Sequence, residues 1–350
     1  MSAPSSRPAV EGPAAWRPAD LADPSTYVVE LTPAQVAELE AVGERLVAED
    51  VDLRTVTPET VPLPRTRAAI GTWAEELDHG RGFVVTRGLN TPAYPTEVSV
   101  AILFALGVHL GVPMPQNAAG VLIDHVVSTT TEDFGDEAGS ARSTARLVFH
   151  SDSSDVVALL CVRPAVEGGA SRLASASTIY NEVRARRPDL LDLLFEPFYF
   201  DWHLQDPTAP EPVYPSPVFS DVDGVLSMYA GSQIVFTAQS YDGVPRLTPE
   251  QAEALELVES IAEEPDVSID IDFRPGDIQW LSNYSALHSR RRFTDADDPE
   301  QRRHLVRMWL RRDTGRPMVS PFGKPLDRFD ASDATHPFLS QAAVIPERVA

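Results

Sequence analysis

One cysteine, a shortage of basic residues and the absence of any long apolar run narrow what this chain can be. Cys161, within VVALLCV, is the only cysteine in 350 residues, so no intrachain disulfide can form and a reducing cytoplasm is the expected home. In that apolar setting it reads as a small buried hydrophobe. Lys and Arg number 29 against 52 Asp and Glu, a net charge of −23. A field of that sign repels phosphate backbones and anionic lipid surfaces, so neither nucleic acid nor membrane is an expected partner. No uninterrupted apolar stretch approaches the roughly eighteen residues of a membrane span. The opening MSAPSSRPAVEGPAAWRPAD has neither the apolar core of a signal peptide nor the Arg-rich face of a transit peptide. No internal repeat is visible.

What remains is globular: 43% hydrophobic and 23% charged residues. Residues 1–25, rich in Pro, Ala and Ser, read as a flexible arm, and 26–350 as a single domain with a C-terminal tail after about residue 320. TPAQVAELEAVGERLVAED predicts a helix capped by Thr32 with Pro33 in its first turn. TRAAIGTWAEELDHG and TEVSVAILFALGVHLG predict two more, the last with His109 in its final turn, where the helix end favours it. GFVVTRGL reads as a short buried strand. From about residue 120, GVLIDHVV, ARLVFHSD, VVALLCV and SRLASAS are short β-rich runs broken by Gly, Pro, Asp or Ser, the texture of a sandwich or jelly roll. Helices return in TIYNEVRARRPDLLDLLF and in TPEQAEALELVESIAEE. The layout is α+β, with helical padding around a β core.

Two strands carry the chemistry. In LVFHSDSSDVV, residues i and i+2 share a face, so His150 and Asp152 leave together while Ser151 leaves opposite. They are either two ligands of a metal site or polar groups at a strand end. In RRHLVRMWLRR, alternation puts Arg303, Leu305, Arg307 and Trp309 on one face and His304, Val306, Met308 and Leu310 on the other. An inward arginine is unfavourable without an anion, and no acidic residue alternates with these two. Either a bound anion meets them or the face is solvated. At roughly 3.3 Å per residue they stand about 13 Å apart, so they need not grip one group.

H-x-D in FHSD, a distant histidine in WLSNYSALHSRRRF, and an arginine about fifteen residues later in RRHLVRMWL resemble the taurine dioxygenase-like (TauD/TfdA) family of Fe(II)- and 2-oxoglutarate-dependent oxygenases. The similarity runs over roughly residues 26 to 320 and includes GFVVTRGL, PQNAAGVLIDHV, EGGAS and HLVRMWLRRDTGRP. It implies a double-stranded β-helix (jelly-roll, cupin-like) core with flanking helices. It implies Fe(II) on His150, Asp152 and His288, leaving three positions for 2-oxoglutarate and O2. Arg303 matches the arginine that takes the far carboxylate of 2-oxoglutarate, and Ser171 stands where many relatives carry threonine. Trp280 and Asn283 match a run that supports the metal strand. Arg307 matches an arginine that meets an anionic substrate group, and His125 is a candidate for lining the cavity. His79, His203 and His336 read as surface residues, and His304 as lying outside the pocket.

The course implied is decarboxylation to succinate and CO2, an Fe(IV)-oxo species and hydrogen abstraction from a small molecule. Hydroxylation is the default outcome, with desaturation or cyclisation as alternatives. Relatives that halogenate carry a small residue in place of the carboxylate, so Asp152 argues against halogenation. A zinc hydrolase could use the same three ligands, and a non-catalytic barrel is a further alternative. SMYAGSQIVF, residues 227 to 236, lacks an arginine that close relatives would carry, so the substrate, like the oligomeric state, stays open.

Overall fold

The computed structural model describes residues 7–117, 120–129, 141–202, 209–313 and 315–324. The first helix, α1 (Pro33–Ala48), starts as its sequence predicts: Thr32 accepts the Gln35 N–H while the Gln35 side chain accepts the Thr32 N–H, with Pro33 at the first position. It is followed by α2 (Arg67–His79) and α3 (Thr96–Leu110). Helix α3 is buried almost all round, since one side meets α1 and the other the sheet. Gly43 permits the α1–α3 approach, because a Cβ there would lie 2.7 Å from Ile102 Cγ1.

Eleven strands place the site. They are β1 (Val28–Glu30), β2 (Phe83–Arg87), β3 (Val112–Met114), β4 (Ile123–Val127), β5 (Leu147–His150) and β6 (Val156–Arg163). Then come β7 (Ser171–Ser175), β8 (Ser268–Ile271), β9 (Ile278–Ser282), β10 (Ala286–Arg290) and β11 (His304–Arg311). The major sheet runs β1-β2-β9-β6-β11-β3, with β4 also on β11; the minor sheet runs β8-β7-β10-β5. Only β1–β2 is parallel among these pairs. Phe83, Val157, Leu159, Leu281, Leu305 and Trp309 from the major sheet meet Leu173, Ile271 and Ala286 from the minor one, filling the space between them. The outer face of the major sheet packs on α1 to α3. That of the minor sheet packs on α4 (Ala176–Arg186) and α5 (Pro249–Glu263). The result is the expected α+β jelly roll between helices. β6 is buried on both faces, which is why VVALLCV reads as an unbroken apolar run. Cys161 lies in the inner layer, where burial pushes its thiol pKa up to about 12.

The N-terminal segment departs from expectation. Residues 7–25 are laid against the fold rather than forming a flexible arm. Asn181 of α4 pairs both ways with the Val10 backbone, Tyr180 and Thr178 donate to the Pro8 and Trp16 carbonyls, and Trp16 Nε1 donates to Arg81 O. These side chains satisfy a segment whose prolines deny it a ladder of its own. Trp16, 3% exposed, plugs the inner layer edge-on to Phe83 at 5.4 Å. Trp16→Ala is expected to cost about 3 to 5 kcal/mol. Urea unfolding measures this, and a loss below about 1 kcal/mol would show that the plug holds nothing. At the other end, Phe322 still packs near Tyr284, and residues 325–350, the remainder of the expected tail, lie outside the described residues.

Candidate active site

The centre is built by two neighbouring strands. In the β5–β10 pair His288 lies directly opposite His150, and the rings meet with centroids 4.2 Å apart. His150 ends β5, and the turn after it brings Asp152 back to both. Asp152 Oδ1 is 3.8 Å from His150 Nε2 and Oδ2 is 3.7 Å from His288 Nε2. The three ligand atoms lie within 4.8 Å of one another, close enough to hold one metal ion. His150 Nδ1–H donates to Val148 O at 2.9 Å, which turns the Nε2 lone pair toward the centre. Burial, reinforced by the His150 ring, lowers the His288 pKa to about 3, so it stays neutral. Burial alone would raise the Asp152 pKa, but Arg307, the two imidazoles and the Trp309 N–H outweigh it and hold it at about 2. Two imidazole nitrogens and one ionised carboxylate form a donor set that suits iron(II).

Asn283 locks this turn. Its Oδ1 accepts the Asp152 N–H at 3.1 Å, and its Nδ2 donates to Ser154 O and Oγ, both at 2.9 Å. It thereby ties the chain just before β10 to the turn that follows β5.

From the two histidines a cavity runs inward past Ser171, Arg290, Arg303 and Arg307. Arg303 is 4% exposed and its guanidinium has no carboxylate partner among the described residues; the Phe293 ring lies 5.2 Å away. Burial lowers its pKa to about 10, which leaves it cationic at neutral pH. Such a charge is costly unless an anion joins it. Ser171 Oγ, beside it, donates to Gln279 Oε1 at 2.9 Å.

Residues 49–309 match the family described as Taurine catabolism dioxygenase TauD, TfdA family. The chain belongs to this family. It is 29% identical over 349 residues to FR-33289 synthase of Streptomyces rubellomurinus, covering 96% of this chain and 97% of that protein. Identity to the taurine hydroxylase-like protein SAT17 of Stachybotrys chartarum is 32% over 307 residues, 84% of this chain and 77% of that one. Among solved structures, asparagine oxygenase in complex with Fe(II), 2S,3S-3-hydroxyasparagine and succinate has a TM-score of 0.63 at 19% identity, covering 81% of this chain and 93% of that one. OrfP in complex with Fe and alpha-ketoglutaric acid has a TM-score of 0.61 at 18% identity, covering 83% and 95%. This TauD/TfdA member is a non-haem iron, 2-oxoglutarate-dependent oxygenase.

Two residues expected at its site lie elsewhere. Trp280 sits on β9 opposite Ala158 and Val84, on the helix-covered face, stacked on Trp73 at 6.3 Å and donating to Thr86 Oγ1 at 3.2 Å. Eight residues before His288 is a different strand in the other sheet, so Trp280 anchors α2 and not the metal strand. His125 stands opposite Val306 on β11, again on the helix side, with Nδ1 2.8 Å from His304 Nε2. It cannot line the cavity; its neighbours Asp124 and Val126 face inward instead. His304 is outside the pocket as expected, and His79 is exposed, while His203 and His336 lie outside the described residues.

Burial lowers the pKa of His125 and takes that of His304 to about 3; Asp124 and Glu97 oppose the shift on His125, and Arg163 adds to that on His304. Both therefore fold neutral. Below an unfolded pKa of about 6.5 the unfolded chain binds the more protons, so their contribution is present above that pH and lost as pH falls, for His304 toward about 3. Replacing both with Leu is expected to shrink the loss of stability between about pH 7.5 and about pH 5. An unchanged loss in urea unfolding would refute the pair's role.

Arg307 meets acids that its own strand does not carry. Its Nε donates to Gln116 Oε1 at 2.7 Å, Nη1 to Asp152 at 3.2 Å and Nη2 to Asp124 Oδ2 at 3.4 Å. Asp124 faces it across the β4–β11 register. Arg290 was not anticipated either: its guanidinium donates to the Ala141, Ser143 and Ala145 carbonyls, and burial with Arg303 nearby lowers its pKa to about 9. The i and i+2 relation to His288 on one strand is the signal that could have found it. A second cavity shares His150 with the first and adds Asp152, with Tyr229, Gly231, Gln233 and Ile234 from the arginine-free stretch.

Proposed function

We propose that the protein hydroxylates a small polar molecule carrying an anionic group, with iron on His150, Asp152 and His288 and 2-oxoglutarate held by Arg303 and Ser171. The observation that carries this reading is the conjunction of the three ligand atoms with a buried Arg303, met by no carboxylate among the described residues, in the cavity that starts at the histidines. A zinc hydrolase or a non-catalytic barrel would have no use for that arginine. Bound iron supplies activation of O2 coupled to decarboxylation of 2-oxoglutarate. The chain's own work is positioning and exclusion of water. Arg303 offers a planar pair of donors to the far carboxylate. Leu159, Leu305 and Phe273 wall the cavity with apolar surface, which strengthens every charge interaction inside it.

The anionic group is inferred from Arg307, which lines the cavity on the same strand face as Arg303 and would share its charge between the substrate and the Asp152 and Asp124 carboxylates it already meets. The substrate would enter over Tyr229 and Gln233. The lone buried thiol favours a cytoplasmic setting, and among the described residues no helix is long and apolar enough to cross a membrane. The test starts from anaerobic protein with Fe(II) and 2-oxoglutarate, which should develop a visible charge-transfer band, and air should then yield slow succinate. Screening small metabolites for accelerated succinate release gives the substrate. A product heavier by one oxygen supports hydroxylation, loss of two hydrogens would replace it with desaturation or ring closure, and a chlorinated main product would overturn the reading.

A further inference from the structure

Gln279 is 0% exposed on β9, with Leu159 and Val85 as its cross-strand neighbours in the major sheet. An amide there is not needed for packing. Its Oε1 takes the hydroxyl hydrogen of Ser171 on β7, a bond from one sheet to the other across the inner layer. Its Nε2, equally buried, has no hydrogen-bond partner among the described residues. Ser171 lines the cavity with Arg303. A hydroxyl has one hydrogen, so while Ser171 donates to Gln279 it has none to give to an anion beside Arg303.

A half-turn of the amide frees that hydrogen and leaves Oε1 rather than Nε2 unbonded, and a buried carbonyl is the less costly of the two to leave so. With Nε2–H donated to Ser171 Oγ, the orphaned donor is satisfied, and the freed hydroxyl hydrogen can point into the cavity. We propose that Gln279 is a positioning residue of the co-substrate site: its amide turns when 2-oxoglutarate arrives, so that Ser171 donates to the carboxylate that Arg303 holds. This rests on the reading of Arg303 and Ser171 given above. A carboxylate accepts both bonds, and Nε2 is left bonded rather than buried alone. An apolar residue at 279 could not supply the Nε2–H. A glutamate could accept from Ser171 but, ionised, could never donate to it, and would hold the hydroxyl in the unproductive direction.

The test is a set of variants titrated anaerobically with 2-oxoglutarate on iron-loaded protein, following the charge-transfer band, with iron affinity and thermal midpoint measured in parallel. Gln279→Met keeps the volume and releases the Ser171 hydrogen but no longer orients the hydroxyl, so it is expected to weaken 2-oxoglutarate a few-fold, less than the roughly tenfold of a lost charge-assisted hydrogen bond. Gln279→Glu is expected to weaken it further, and both should keep wild-type iron affinity. The double variant Gln279→Met/Ser171→Ala should bind no worse than Ser171→Ala alone, because Gln279 acts through that hydroxyl. Losses that simply add in the double variant, or wild-type binding by Gln279→Met, would overturn the proposal. Arg303→Ala is the control: unchanged 2-oxoglutarate affinity there would bring down the underlying reading, whereas a loss there with none in Gln279→Met would bring down this inference alone. If Gln279→Glu fails to fold, the double-variant comparison still decides.

Discussion

Asp152→Ala is expected to leave a folded protein that no longer turns over. The carboxylate is the only charged ligand of the three, and both imidazoles face it within 3.8 Å. Without it only the two imidazole rings remain, while the Arg307 guanidinium and the Trp309 N–H lose the acceptor they share. Loss of a mere supporting partner lowers metal affinity by about 10 to 100-fold, so loss of the ligand should exceed that. His150→Ala and His288→Ala are expected to behave alike. Iron content and succinate release read the result, and full turnover by any of the three with iron still bound would rule out the triad. The fold should survive, because the inner layer is held by residues such as Leu159, Leu281 and Trp309 rather than by these groups.

Arg303→Met is expected to have two effects of opposite sign. In the presence of 2-oxoglutarate the variant forfeits a charge-assisted pair in a dry pocket, a loss of roughly 2 to 5 kcal/mol, so apparent affinity should fall by more than about tenfold. Without co-substrate the same change removes a buried charge that no described carboxylate meets, and the thermal midpoint should rise above wild type. A structural arginine would give the opposite stability result. Should Arg303→Met bind 2-oxoglutarate normally while Arg307→Ala does not, the two arginines have exchanged roles.

The division between what could be read from the sequence and what could not follows strand geometry. His150 and Asp152 were legible because a strand's period of two is a local property, and so was the alternation on β11, where Leu305 and Trp309 do face the inner layer while Val306, Met308 and Leu310 face the helices. What a strand's faces point toward depends on register with strands far away in sequence. The face of His125, a candidate only, could not be fixed for that reason, and the acids that meet Arg307 were invisible, since Asp124 reaches it from β4 and Asp152 from the turn after β5. Trp280 illustrates a different failure: spacing from His288 was counted through a turn that carries the chain from one sheet to the other. The N-terminal segment was legible only as rich in proline. The Asn181 and Tyr180 side chains that fix it lie more than 160 positions along the chain.

The hydrogen-bonded pairing of β5 with β10 also sets an order of events. His150 and His288 become neighbours only when that pair closes, and Asn283 joins Asp152 to them only then. A ribosome-bound fragment ending before residue 283 has two ligands and no site. Metal capture must therefore wait until the chain has been made past β10 and β5 has paired with it, so the site is a product of folding and not a seed for it.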